Sequence, residues 1–287
     1  MKKPSTGPEA IRIRSVLVPL DGSSFAEQAL PWATAIAGKA RARLRLVLVH
    51  QVPQPPPLDQ ASVRLYSQIE LALRKVQRDY LRSIAARLKS QRPLQVATAM
   101  LEGGPAEGLG DYVREIGVDL VVMTTHGRGG LQRAWLGSVA DQLVRSLEIP
   151  LLLIRPMEDS AQAEPRVEEI LVPLDGSRKA EAALPPALAM ASLLGARLEL
   201  LQVVQPVDFA IDASVAVPRS VDEELSALRR REGQDYLDGL AEWLSRSGVA
   251  ATGAAVLGAS VAQTIEALAR NPAIGMIALA THGRGGL

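Results

Sequence analysis

Short apolar runs alternate with longer stretches of helical periodicity along almost the whole chain. Ile13 to Leu20 is apolar and stops at Pro-Leu-Asp-Gly, the mark of a buried strand running into a loop. Ser23 and Ser24 can cap the helix that follows, whose inner face carries Ala26, Ala29, Leu30, Ala33 and Ile36. Leu44 to Val49 predicts a second strand, with Arg43 and Arg45 marking its exposed entry. Val52 to Pro57 is too rich in proline for regular structure and reads as a surface loop. Leu65, Ile69, Leu73, Val76, Tyr80, Ile84 and Leu88 keep helical spacing through one long helix. A third strand is expected over 96–100, a helix over 106–116, a fourth strand over 118–123, a helix from Gly137-Ser138 and a fifth strand over 149–154.

The same order then returns. Val16 to Ser23 reappears as Ile170 to Ser177, and Thr125 to Leu131 as Thr281 to Leu287, at offsets of 154 and 156 residues. Two blocks repeated in order at nearly one offset mean a duplicated domain. The second copy predicts a strand near 168–174, a helix over 178–194, a strand over 197–204, a long helix near 220–246, a strand over 249–257, a helix over 260–270 and a strand over 274–280. Its counterpart of the last helix and strand, about 25 residues by the same offset, is expected to be missing. Nearly uniform apolar strands alternating with helices imply parallel sheets covered on both faces. The expected fold is therefore two tandem doubly wound, parallel five-stranded α/β sheets of Rossmann-like type, the second without its last helix and strand. Residues 1–10 read as a disordered tail, 11–156 as a complete first domain, 157–166 as a linker and 167–287 as a truncated second domain.

Composition narrows the function classes. At 287 residues the length suits two ordinary domains, and no apolar run reaches the roughly 18 residues of a membrane span. With no cysteine and three histidines lacking helix-face spacing, neither a disulfide nor a structural zinc site is expected. Cytoplasm is the expected compartment. The net charge of +1 conceals 21 Lys+Arg against 13 Asp+Glu in residues 1–156, and 11 against 18 in residues 157–287. The basic side chains, among them Arg74, Arg78, Arg82 and Arg87, fall on helical stretches without interleaved aromatics, so nucleic acid is not the expected partner. Opposite charge on the two halves favours their docking or head-to-tail association.

Ligands of open α/β sheets bind at the carboxyl ends of the strands, where strand order reverses. Three such ends carry candidates: Pro19-Leu20-Asp21, His50-Gln51, and Met123-Thr124 before a glycine loop. Asp21 is an acceptor suited to ribose hydroxyls or an adenine amine, and its plainer role is capping the helix after Gly22. Gly127, Gly129 and Gly130 remove Cβ atoms, so that backbone amides can approach phosphate oxygens. Ser138, after Gly137 at a helix start, adds free amides, the helix dipole and a hydroxyl. Arg128 and Arg133 read as solvated, with added charge for an anion as the sharper alternative. No P-loop lysine or Gly-x-Gly-x-x-Gly spacing is present. His126 and His282 lack a nucleophile or an orienting carboxylate nearby in sequence and read as pins of the glycine loops, while His50 reads as strand-end packing. No catalytic residue is assigned, and an enzyme is not expected.

Val-Pro-Leu-Asp-Gly-Ser, then Thr-His-Gly-Arg-Gly-Gly-Leu, then Leu136-Gly137-Ser138-Val139-Ala140 resembles the universal stress protein family over both repeats. The resemblance implies an adenine nucleotide alpha hydrolase-like fold. It also implies a nucleotide motif of Gly-x-x-Gly, nine residues, then Gly-Ser or Gly-Thr. Gly127 and Gly137-Ser138 match its later elements, while Thr124 (Ala280 in the second copy) stands at its first glycine. A left-handed backbone there would cost threonine roughly 1–2 kcal/mol, whereas a residue that ends a strand carries no strain. The small side chain at both copies favours the strand end. By resemblance, Asp21 and the backbone near Gln51 face the adenosine, Thr124 the ribose, and Gly127, Gly137, Ser138 and Val139 the phosphates, with Pro19, Leu20, Met123, His126, Arg128, Gly129 and Gly130 completing the site. ATP, with Mg, is the implied ligand, and the implied role is a stress regulator acting through conformation or assembly. A nucleotide-free scaffold or a slow ATPase are the alternatives. The resemblance also implies a homodimer formed through strand 149–155.

Overall fold

The computed structural model describes residues 10–51, 60–125, 136–155, 166–206 and 219–281. The chain divides into two compact units, built on Arg12–Pro165 and Arg166–Thr281. In the first, β1 (Ser15–Leu20), β2 (Arg43–His50), β3 (Val96–Glu102), β4 (Leu120–Thr124) and β5 (Leu151–Ile154) form one parallel sheet in the order β3-β2-β1-β4-β5. The helices are α1 (Ser24–Glu27), α2 (Leu30–Ala40), α3 (Gln60–Gln91), α4 (Pro105–Ile116) and α5 (Ser138–Ser146). Strand order reverses between β1 and β4, so this sheet has the switch point expected of a doubly wound fold. The second unit carries β6 (Glu169–Pro173), α6 (Arg178–Glu181), α7 (Leu184–Leu194), β7 (Arg197–Val204), α8 (Arg219–Ser245), β8 (Ala251–Leu257), α9 (Val261–Leu268) and β9 (Ile274–Ile277). Its sheet is also parallel, with four strands in the order β8-β7-β6-β9 and no counterpart of β5 among the described residues.

Alternation in the strands sets the two faces of the first sheet. Leu17, Val47, Val121 and Met123 point to α4 and α5 and meet Leu109, Val113 and Leu143 in one buried cluster. α2 and α3 pack on β1, β2 and β3 with Ile36, Leu81 and Ile84 buried. Fully buried Leu17 and Leu171, Leu44 and Leu198, and Leu46 and Leu200 are paired across the repeat, so both cores rest on the same strand positions.

Two expectations need correction. The single helices read after Ser23 and over 178–194 are each two, α1 with α2 and α6 with α7. Pro31 in one repeat and Pro185 in the other sit in the first turn of the second piece, where a missing N–H is harmless. An uninterrupted helix would instead need that N–H and would clash with the carbonyl four residues back. The long apolar stripe of α3 is also not all core. Among its described side chains burial is confined to the C-terminal half, and Leu65, Ile69, Leu73 and Val76 are exposed. At 32 residues α3 is about 48 Å long, against about 26 Å for the eight residues of β2, so its first half overruns the sheet. The proline-rich loop, the linker and the N-terminal tail lie outside the described residues.

Candidate functional site

β1 delivers the chain to a turn that leaves no freedom at Gly22, whose φ of 82° only glycine adopts without strain. One carboxylate oxygen of Asp21 accepts from the Ser23 amide at 2.9 Å and from its hydroxyl at 2.6 Å. The Ser23 Oγ in turn accepts from the Ala26 amide at 3.2 Å and caps α1. Asp21 is therefore not itself the cap; it orients the serine that is. The second repeat builds the same turn with Asp175, Gly176 (φ 81°) and Ser177.

A second polar group stands behind this turn. The Tyr80 hydroxyl donates to Glu27 at 3.1 Å, and Arg87 pairs with the same carboxylate at 2.6 Å. Burial pushes the Tyr80 phenol above its ordinary value, and the Glu27 and Asp21 carboxylates push it further. Tyr236 and Glu181 repeat the bond at 2.8 Å. Sequence reasoning missed this pair, although the recurrence of Glu27 with Tyr80 as Glu181 with Tyr236, at the offsets of the repeat, is a signal for it.

β2 ends in His50, which is buried, with its Nδ1 2.7 Å from the Gln77 Oε1 and its Nε2 buried without a protein partner. That is the packing position expected of it. Gln51 follows directly and is exposed at the carboxyl edge of the sheet.

Thr124 is the last residue of β4, is buried, and stands opposite Ile154 in the ladder. Among the described residues Arg41 is the one non-glycine with positive φ, so Thr124 carries no left-handed strain. Continuing the register of Leu17 with Val121 brings Leu20 level with Thr124, beside the Asp21 turn. The next residue closes a loop: the Thr125 amide donates to the Ile154 carbonyl at 2.9 Å, and the Thr125 carbonyl accepts from the Gly137 amide at 2.7 Å. The start of α5 is thereby held against the end of β4. Gly137 is its N-cap with φ −67° and ψ 153° and has no side chain to cap the helix, so among the described residues its first-turn N–H groups are left for an outside acceptor. Ser138 is exposed, and half-buried Val139 packs on the core. Asp141 in the first turn is paired with Arg145 at 3.1 Å, which moderates its charge near this helix start.

The structure thus brings Pro19, Leu20, Asp21, Met123, Thr124, Gly137, Ser138 and Val139 to one sheet edge, with Gln51 at the end of the adjoining strand. His126, Gly127, Arg128, Gly129, Gly130 and Arg133 lie outside the described residues. Among the described residues no cluster of His, Asp or Glu could hold a metal ion, and no helix is long and apolar enough to cross a membrane.

Comparison with known proteins follows the same division of the chain. The model of the universal stress protein family matches residues 12–155 and again 167–287. Universal stress protein Rv2005c of Mycobacterium tuberculosis is 26% identical over 287 residues, covering 95% of this chain and 88% of its own length. Universal stress protein MJ0531 of Methanocaldococcus jannaschii is 28% identical over 148 residues, covering 50% of this chain and 82% of its own. Of solved structures, a universal stress protein from Archaeoglobus fulgidus superposes with a TM-score of 0.62 at 13% identity, over 92% of this chain and 85% of that one, a likeness of fold.

Proposed function

The chain belongs to the universal stress protein family, and from that premise we propose that its first domain binds ATP and acts as a cytoplasmic stress-response regulator. The observation that carries this reading is the bond between Gly137 and Thr125, which seats an uncapped helix start at the switch point between β1 and β4. The Ser138 and Val139 amides would take the phosphates, Asp21 and the backbone near Gln51 the adenosine, and Thr124 the ribose side. Magnesium would travel with the phosphates and neutralise their charge. Binding would act by shifting conformational or assembly populations, and turnover forms no part of the reading.

The assembly step is proposed at β5, an apolar edge strand whose four residues are all half-buried. An unpaired strand edge is a template for another chain, and antiparallel pairing with the β5 of a second copy would join two first domains into a homodimer. The nucleotide-free scaffold has one observation in its favour: the Gly137 amide is already bonded to the Thr125 carbonyl, and one Asp21 oxygen is taken up within its own turn. Mass spectrometry of the small molecules released by denaturing freshly purified protein separates the two. Stoichiometric ATP supports the regulator; freshly purified protein that releases no nucleotide and takes none up on incubation with Mg-ATP supports the scaffold.

A further inference from the structure

β8 is an edge strand of the second sheet, next to β7 and beside no other strand among the described residues. Its ladder to β7 runs through alternate residues. The Leu198 amide donates to the Ala250 carbonyl at 2.8 Å, and the Gly258 amide to the Val204 carbonyl at 3.1 Å. Even-numbered positions therefore serve β7, while Gly253 and Ala255 turn their backbone groups away from it. Outward groups of this kind are a template for a further strand. Ala255 is also buried, so an unpaired amide there would be costly.

One side chain of α8 answers both groups. The Gln234 Nε2 donates to the Gly253 carbonyl at 2.8 Å, and its Oε1 accepts from the Ala255 amide at 2.9 Å. In a parallel ladder that carbonyl and that amide are the two groups bonded by a single residue of an added strand. The primary amide stands in the place of that residue. Its Nε2 also donates to the Asp238 Oδ1 at 2.8 Å, one turn along α8, which fixes the way the amide faces. Two glycines let the helix come this close: a Cβ on Gly253 would lie 2.7 Å from the Leu237 Cβ, and one on Gly233 would lie 2.7 Å from the Gln202 Oε1. In the first repeat Arg78 holds the place of Gln234; it is exposed, and a guanidinium has donors only, so it cannot accept from a strand amide.

We propose that the Gln234 amide is a cap built into the fold, closing the β8 edge to strand pairing with a second copy of this chain. Pairing of either sense needs the Ala255 amide or the Gly253 carbonyl, and an incoming strand must displace the cap to reach them.

The test compares the 287-residue chain with its Gln234→Leu variant, which keeps the bulk of the side chain and removes its polar atoms. At low chain concentration the Ala255 amide of the variant should exchange at least about tenfold faster than in the wild type. As concentration rises, protection over 251–257 should return in the variant, and sedimentation should show a species about twice the wild-type mass. In the wild type, exchange over 251–257 should not depend on concentration. Gln234→Asn keeps the polar amide on a side chain one methylene too short to span both groups; it should behave as the leucine variant does, and it decides the matter if leucine disturbs folding. Two results overturn the proposal. An Ala255 amide that exchanges at the wild-type rate in a folded variant would show that Gln234 does not hold the edge. A variant that keeps the wild-type mass, with no concentration-dependent protection over 251–257, would show that the edge needs no cap.

Discussion

The amide of Gly137 donates to the carbonyl of Thr125 at 2.7 Å, so the chain leaves the end of β4 and returns to it at nearly one point. This bond places the free amides of a helix start where an open α/β sheet receives its ligand. Replacing Gly137 with valine tests the arrangement cleanly. The backbone there is extended, with φ −67° and ψ 153°, so a side chain introduces no left-handed strain. Thermal stability should change by less than about 1 kcal/mol, whereas the isopropyl group would stand in the phosphate approach. Mg-ATP affinity should fall at least a hundredfold. Unchanged affinity in a folded variant would remove this loop from the account.

Arg41 ends α2 in the left-handed region, at φ 54° and ψ 35°, where the second repeat ends α7 with Gly195 at φ 77°. The arginine carries a steric cost that glycine does not, offset in part by the greater freedom of glycine in the unfolded chain. Arg41→Gly should therefore stabilise the first domain by about 0.5–1 kcal/mol. A urea midpoint that moves down, with the slope unchanged, is the contrary result.

How far the fold was legible follows from which forces act locally. The strand read over 197–204 is β7 to the residue, because a short apolar run flanked by polar turns needs only local burial. The switch point was legible too, since the alternation of strands and helices admits few topologies. The break at Pro31 was missed because the apolar face runs through it unbroken, and periodicity does not register a lost N–H. Exposure of Leu65, Ile69, Leu73 and Val76 was equally hidden, for it depends on how far α3 overruns strands distant in sequence. At the site, Asp21 and Gly137 were visible as residues. That Asp21 spends an oxygen on its own turn and Gly137 its amide on the end of β4 is a matter of geometry that spacing does not encode.

Tyr80 and Tyr236 link both domains to alkaline pH. Each phenol is raised above its unfolded value of 10.0 by burial and by a carboxylate, Glu27 or Glu181. Above pH 10 the unfolded chain gives up protons that the folded chain keeps, so stability is present below that pH and is lost as pH rises beyond it. Tyr80→Phe should cost about 1 kcal/mol at pH 8, and this deficit should shrink by pH 11. A deficit constant across that range, read from urea midpoints, would show that the tyrosine is not the titrating group.

The edge position of β5 predicts a two-fold dimer of first domains, visible in sedimentation at micromolar concentration. Amides at Leu152 to Ile154 should exchange slowly in that dimer. Those across 249–280 should exchange faster, because α9 buries none of its residues. A monomer whose β5 amides exchange freely would contradict the pairing.

The most direct measurement is titration calorimetry of Mg-ATP into the 287-residue chain. The start of α5 at the β1–β4 switch point has no counterpart in the second domain among the described residues, so the account predicts saturable binding with about one site per chain. Two equivalent sites would show that binding does not need that helix start. The absence of binding heat at several temperatures would leave the first domain without its proposed ligand.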